Sequence, residues 1–177
     1  MDLEQVFQMR FSCRSFSSKP VPEELLEKII RLCQRAPSAG NLQAFRVIIV
    51  RNQDTRNRLA HAALQQTFLA KAPVVLVVSA SPSLSSFGYG QRGRDLYSIQ
   101  DATIFAAYCE LICTNFGLAS VWIGAFSDNQ VLEVLKPQVP SNYIEKPIAL
   151  IGIGFPTELP SRFTSRISLD ELSYSLD

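Results

Sequence analysis

The chain has 177 residues, a net charge of +1, 47% apolar residues and 19% charged residues. This composition is typical of a globular domain that can bury a sizeable core, and it excludes a disordered chain. The 17 basic and 16 acidic residues are scattered without a run of like charge, so the sequence predicts no binding to nucleic acid or to an anionic membrane.

The first residues, MDLEQVFQMRFS, carry acids early and have no apolar core of signal length, so no export is expected. The longest charge-free stretch, residues 111–127, is interrupted by Asn115, Gly117 and Gly124 and is not a membrane span. The four cysteines include no CxxC pair and His61 is the only histidine, so neither a zinc site nor a histidine-based triad is expected. The sequence predicts a reduced, cytoplasmic protein without a metal.

Helical and strand patterns alternate along the chain. In order they predict a helix over 2–9, a helix over 22–36, a strand over 45–51, a helix over 53–71, a strand over 73–80, a loop over 81–97, a helix over 98–117, a strand entering a loop over 119–127, a helix over 128–136 and a strand over 146–156. No internal repeat or linker divides the chain, so one domain over residues 1–177 with a central sheet, α/β or α+β, is expected.

Four polar or glycine-rich stretches interrupt this scaffold, at residues 10–20, 36–44, 81–97 and 123–127. None contains a nucleophile beside a base, and neither GYG nor GIG is a phosphate loop. The first stretch begins RFSCR, and its two arginines and hydroxyl suit the binding of a phosphate or another anion. A solvated basic loop explains the same residues.

With RFSCRSF, APSAGNLQAF, GLASVWIGAF and IGIGFP in this order, the chain resembles the nitroreductase-like family of FMN-dependent oxidoreductases. The resemblance covers roughly residues 6–172. It implies an α+β fold, an α/β/α sandwich with a mainly antiparallel central sheet. It also implies an intertwined homodimer that binds two FMN molecules at the subunit interface.

The resemblance implies FMN-binding roles for residues of the first motif. Arg10 and Ser12 would bind the phosphate and ribityl side of FMN, and Arg14 would face the N1/O2 edge of the ring. A fixed cation near N1 stabilises the negative charge of reduced flavin. Many members have a basic residue where this chain has Phe11, so only the backbone of Phe11 is implicated. Arg166 matches a phosphate-binding arginine of the C-terminal tail.

The other motifs would complete the cofactor site. In the family, the loop containing Pro37, Ser38, Ala39 and Asn41 comes from the partner subunit and lies along the flavin, where small residues permit close approach. The family often has Pro-Trp where this chain has Ala-Phe at 44–45. In the third motif, the backbone N–H of Gly124 or Ala125 would donate to flavin N5. Gln66 matches a position that can reach the flavin pyrimidine.

The implied reaction is a ping-pong hydride transfer from NADH or NADPH through flavin N5 to a small-molecule acceptor such as a nitroaromatic or a quinone. It needs no catalytic side-chain acid or base, because the flavin supplies the chemistry. Substrate-pocket candidates are Phe87, Tyr89, Tyr97 and Phe126, although the aromatic residues of 81–97 equally fit a surface loop. Other flavin chemistry (dehydrogenation, reductive dehalogenation or flavin breakdown) and non-catalytic flavin binding are the alternatives.

Overall fold

A computed structural model describes residues 1–140, 142–160 and 164–176 of the chain. Its α-helices are α1 (Leu3–Met9), α2 (Glu23–Cys33), α3 (Gln53–Ala62), α4 (Phe68–Lys71), α5 (Pro82–Arg92), α6 (Ser98–Asn115), α7 (Asp128–Leu135) and α8 (Leu169–Leu172). Its strands are β1 (Phe45–Val50), β2 (Val74–Ala80), β3 (Ala119–Ile123) and β4 (Lys146–Gly154). Every strand expected from the sequence is confirmed.

The four strands form one sheet in the order β1-β2-β4-β3, and all three pairings are antiparallel. The two central strands are β2 and β4. All seven residues of β2 are buried, as its uninterrupted apolar sequence requires for a strand covered on both faces.

Helices cover both faces of the sheet. On one face, Leu76 of β2 and Ile151 of β4 belong to an apolar cluster with residues of α2 and α6. On the other face, Val75 and Val77 belong to a second cluster with residues of α3, α4 and α7. Alternate residues of β2 thus face opposite helix layers, as strand geometry dictates. The α/β/α sandwich with an antiparallel sheet is confirmed.

The prediction of one continuous helix over residues 53–71 is wrong, because two helices with a turn between them occupy this stretch. The helical pattern breaks between α3 and α4, where Leu64 and Gln65 adopt left-handed φ angles of 55° and 63°. Such angles are uncommon for residues other than glycine and cost conformational energy. The stretch LQQT has no glycine or proline to signal the break.

The loop expected over residues 81–97 is also wrong. Residues 82–92 form α5, which begins with Pro82 in its first turn and is kinked at Gly90 (φ 55°). A π-helical turn over Gly93–Tyr97 then leads directly into α6. The glycines and serines that suggested a loop instead permit close packing, since Gly93 lies against the backbone of Ser85.

Within the described ranges, no helix combines the length and the apolar character needed to cross a bilayer.

Candidate functional site

The segment after α1 lies along the edge of the sheet and presents its polar side chains outward. The Cys13 amide donates to the Ser120 carbonyl at the start of β3 (2.8 Å), and the Ser17 amide donates to the Phe155 carbonyl (2.8 Å). Cys13 and Phe16 are buried in a small apolar cluster beside β3. These contacts hold the backbone of residues 13–17 against the sheet, and Ser12 and Arg14 beside the buried Cys13 are exposed.

Five of the predicted site residues meet at one open cavity of about 1190 Å³. Arg10, Phe11, Ser12, Arg14 and Arg166 line it, while α1 contributes Leu3, Glu4, Phe7 and Gln8. The three arginines come from two distant parts of the sequence, and the fold brings them together. A cavity with three guanidinium groups and one acid on its wall suits an anionic ligand such as a phosphate ester.

Arg10 is oriented by Glu110, a residue that the sequence analysis missed. Glu110 lies on α6, and its Oε1 is 3.9 Å from Arg10 Nη1 and 3.4 Å from the Ser120 hydroxyl. Burial raises the pKa of the Glu110 carboxyl, while the Arg10 charge and the Ser120 hydroxyl oppose the rise. Glu110 is the only charged residue of 102–117, the apolar main part of the helical pattern, and this is the sequence signal that could have identified it.

Gln66 lies in the strained turn between α3 and α4, and Arg14 lies beside Phe68, the first residue of α4. The Arg14 guanidinium lies 5.6 Å from the centre of the Phe68 ring, within cation–π distance. Gln66 Nε2 donates to the Ala125 carbonyl (3.1 Å) and to the Ala63 carbonyl (2.9 Å). The structure therefore joins Gln66 directly to the segment after β3, two places that the resemblance assigned to one site.

Gly124 and Ala125 are exposed immediately after β3. Among the described residues, neither backbone N–H donates to a protein acceptor. Two adjacent unpaired amides at the end of a buried strand are available to a ligand.

The loop over residues 37–43 lies apart from the arginine cavity within one chain. The Ala39 amide donates to Oδ1 of Asp101 in the first turn of α6 (2.9 Å), and the Gln43 amide donates to the Ser38 hydroxyl (3.0 Å). Gly40, Asn41 and Gln43 have positive φ angles. Pro37, Ser38, Ala39 and Asn41 do not line the cavity that Arg10 lines.

Asp101 anchors this loop. Its side chain is 2% exposed, and Oδ2 has no hydrogen-bond partner among the described residues. We expect Asp101→Ala to lower the free energy of unfolding by about 2 kcal/mol, because it leaves the Ala39 amide without its acceptor. Asp101→Asn retains the acceptor oxygen and should cost less. Urea unfolding of the two variants checks this, and an equal loss in both would contradict the anchoring role.

The four aromatic pocket candidates are dispersed. Tyr89 and Tyr97 contact each other edge to face, with ring centres 5.2 Å apart, and Arg92 donates to the Tyr97 hydroxyl (3.0 Å). Phe87 is 95% exposed, and Phe126 packs against the cluster beneath α3 and α7. The structure therefore brings together only Tyr89 and Tyr97.

Across the described part of the chain, no group of three or more His, Cys, Asp or Glu side chains is arranged to bind a metal ion.

Comparison with known proteins identifies the class to which this fold and cavity belong. A model of the nitroreductase family matches residues 8–68 and 60–155. The chain is 30% identical over 185 residues to an NADH dehydrogenase of Thermus thermophilus, covering 89% of this chain and 88% of that protein. The chain therefore belongs to the nitroreductase family.

Two further similarities bear on the site. The FMN reductase [NAD(P)H] of Bacillus subtilis is 27% identical, over 83% of this chain and 63% of that protein. A solved nitroreductase family protein from Clostridium difficile 630 superposes with a TM-score of 0.83 at 26% identity, covering 98% of both chains.

Proposed function

We propose that the chain is an FMN-dependent oxidoreductase that takes electrons from NADH or NADPH and passes them to a small acceptor such as a nitroaromatic compound or a quinone. The observation that carries the proposal is the cavity lined by Arg10, Ser12, Arg14 and Arg166 in a member of the nitroreductase family. The Bacillus subtilis relative, an FMN reductase [NAD(P)H], supports the choice of cofactor and donor. The unit is the whole chain, residues 1–177, acting as one domain.

The residues around the cavity fit FMN in charge and in donor chemistry. Arg10 and Arg166 supply guanidinium forks for a phosphate, and the exposed Ser12 hydroxyl can hydrogen-bond the phosphate or the ribityl chain. Arg14 is a separate cation, placed against Phe68, that would stabilise negative charge at the pyrimidine edge of the ring. The free amides of Gly124 and Ala125 would donate to N5, and Gln66 would reach the pyrimidine.

When bound, FMN supplies hydride transfer at N5 in both half-reactions. Arg10 and Arg166 would bind its phosphate, and Arg14 would place a fixed positive charge beside the ring. Because no side chain of the site must give or take a proton, the chain contributes orientation and electrostatics. Phe87, Tyr89, Tyr97 and Phe126 remain candidates for contacts with the acceptor.

A homodimer belongs to the same proposal. The loop containing Pro37, Ser38, Ala39 and Asn41 does not line the arginine cavity of its own chain. In the proposed assembly this loop covers the flavin of the partner subunit, so each site requires both chains. Light scattering of the flavin-loaded protein should therefore give the mass of two chains.

The function is tested by anaerobic titration of the purified, FMN-loaded protein with NADPH and then with NADH. We expect the visible absorption band of oxidised flavin to bleach, followed by its return when a quinone is added. Flavin that stays oxidised with both donors would contradict the proposal and favour other flavin chemistry or non-catalytic flavin binding. Failure to retain FMN after reconstitution would contradict the cofactor assignment itself.

A further inference from the structure

A second cavity, with a volume of about 620 Å³, is lined by residues of α3, of α4 and of the turn that joins them. We call it the Arg56 pocket; its polar walls come from Ser17, Asn57, His61, Gln65, Thr67 and Lys71 around Arg56. No described residue lines both this pocket and the cavity of Arg10. Its volume falls in the range of small-molecule sites, about 300–1000 Å³.

Arg56 forms the floor of the pocket as a buried cation without an acidic partner. It is 9% exposed, and its guanidinium donates to the carbonyls of Arg51, Ala70 and Ala72 and to the side-chain oxygen of Gln53. All four acceptors are neutral. Within the described part of the chain, no carboxylate lies within ion-pair distance of Arg56, so its positive charge is compensated only by dipoles.

The described wall of the pocket carries no negative charge. Lys71 and the imidazole of His61 also line the pocket, and none of its described lining residues is acidic. Neither side chain is in an ion pair with a described residue. Hydroxyl and amide groups of Ser17, Asn57 and Thr67 add neutral hydrogen-bond donors. Such a set suits an anion with several oxygens and more than one negative charge.

We propose that the Arg56 pocket is a binding site for the phosphate group of a small molecule, separate from the site proposed for FMN. A phosphate dianion uses more donors than a carboxylate and suits the positive charges of Arg56 and Lys71. The four hydrogen bonds of Arg56 to described residues leave one of its five N–H groups, on Nη2, for a ligand. The pocket exceeds the volume of a phosphate ion, so it also accommodates part of a phosphorylated molecule.

The proposal is tested by isothermal titration of the FMN-loaded protein, desalted to remove excess FMN, in a chloride buffer without phosphate or sulfate. The probes are inorganic phosphate, 5′-AMP and, as the uncharged control, adenosine. We expect saturable binding of phosphate or 5′-AMP and none of adenosine. Tighter binding of 5′-AMP identifies a phosphorylated organic molecule as the source of the phosphate, whereas equal or tighter binding of phosphate identifies the free ion. No saturation by either probe up to about 10 mM overturns the proposal.

Variants show where the phosphate probe binds. Lys71→Gln should weaken its binding about tenfold, as expected when one charge-assisted hydrogen bond is lost. Ser18→Asp places a negative charge at an exposed position on the wall of the pocket and should abolish binding of the phosphate probe. Arg58→Gln is the matched control, because it removes one positive charge from α3 at a position outside the pocket.

Two outcomes of these variants would overturn the proposal. An equal loss in Arg58→Gln and Lys71→Gln would mean that the anion responds to the general charge of the surface. Binding that stays unchanged in both Lys71→Gln and Ser18→Asp would place the anion outside the Arg56 pocket.

Discussion

Arg10→Gln is expected to weaken FMN binding by about 100-fold, equivalent to about 2.7 kcal/mol. Arg10 lines the cavity proposed for FMN, and Glu110 on α6 orients its guanidinium. Its replacement removes a fork that can donate two charge-assisted hydrogen bonds to the phosphate. Quenching of FMN fluorescence at low ionic strength measures the dissociation constant.

Two controls accompany this prediction. Arg10→Lys keeps the charge but loses the fork, so its affinity should fall between those of the wild type and Arg10→Gln. Arg31→Gln removes an exposed arginine that pairs with Glu27 on α2 and should leave the affinity unchanged. An Arg10→Gln variant that binds FMN within twofold of the wild type would exclude Arg10 from the phosphate site.

Gly93→Ala is expected to lower the free energy of unfolding by about 3 kcal/mol, the upper part of the range for overpacking. Gly93 has φ −60° and ψ −47°, a helical conformation in which alanine is normally preferred over glycine. A Cβ atom there would, however, lie 2.3 Å from the carbonyl oxygen of Ser85. Because this obstacle is backbone, α5 or the π-helical turn must move.

Gly88→Ala is the matched control, since Gly88 lies in the same helix, α5. There the added Cβ would meet the tip of the Leu42 side chain, 2.9 Å away, which can rotate aside. The stability of this variant should change by less than about 1 kcal/mol. Urea unfolding followed by circular dichroism measures both variants. Gly93→Ala as stable as the wild type would show that α5 and the π-helical turn separate easily.

The sequence predicts the sheet well because its strands are encoded locally. Runs such as VVLVVSA are too apolar and too rich in β-branched residues for any other buried element of that length. Two helices are predicted for the same reason: α2 has a clear apolar stripe, and α6 has a long apolar pattern that ends at Gly117. Strand order and register depend on contacts between distant segments, and the sequence did not predict them. Only the mainly antiparallel arrangement was expected, and that expectation came from the resemblance to a family.

The errors arise where tertiary contacts override local preference. The glycines of 88–93 favour a loop locally, yet they form a helix because Gly93 packs on the Ser85 backbone. Leu64 and Gln65 favour a helix locally, yet they take left-handed angles between α3 and α4.

In the candidate site, too, residues that are close in sequence could be predicted, whereas contacts between distant segments could not. Arg10, Ser12 and Arg14 are visible in one short motif, whereas the contribution of Glu110 depends on how α6 packs beside the segment after α1. Arg166 could be associated with them only through the resemblance, because the intervening chain contains most of the fold.

The central position of β2 has a consequence for synthesis of the protein. Its two neighbours are β1, which precedes it closely, and β4, whose Ile153 pairs with Val74. A nascent chain that has been translated only through α6 therefore carries an open edge on a strand that is apolar except at Ser79, and this edge has no partner yet. Such edges promote aggregation of incomplete chains, so the yield of folded protein in cells should depend on how soon β4 leaves the ribosome.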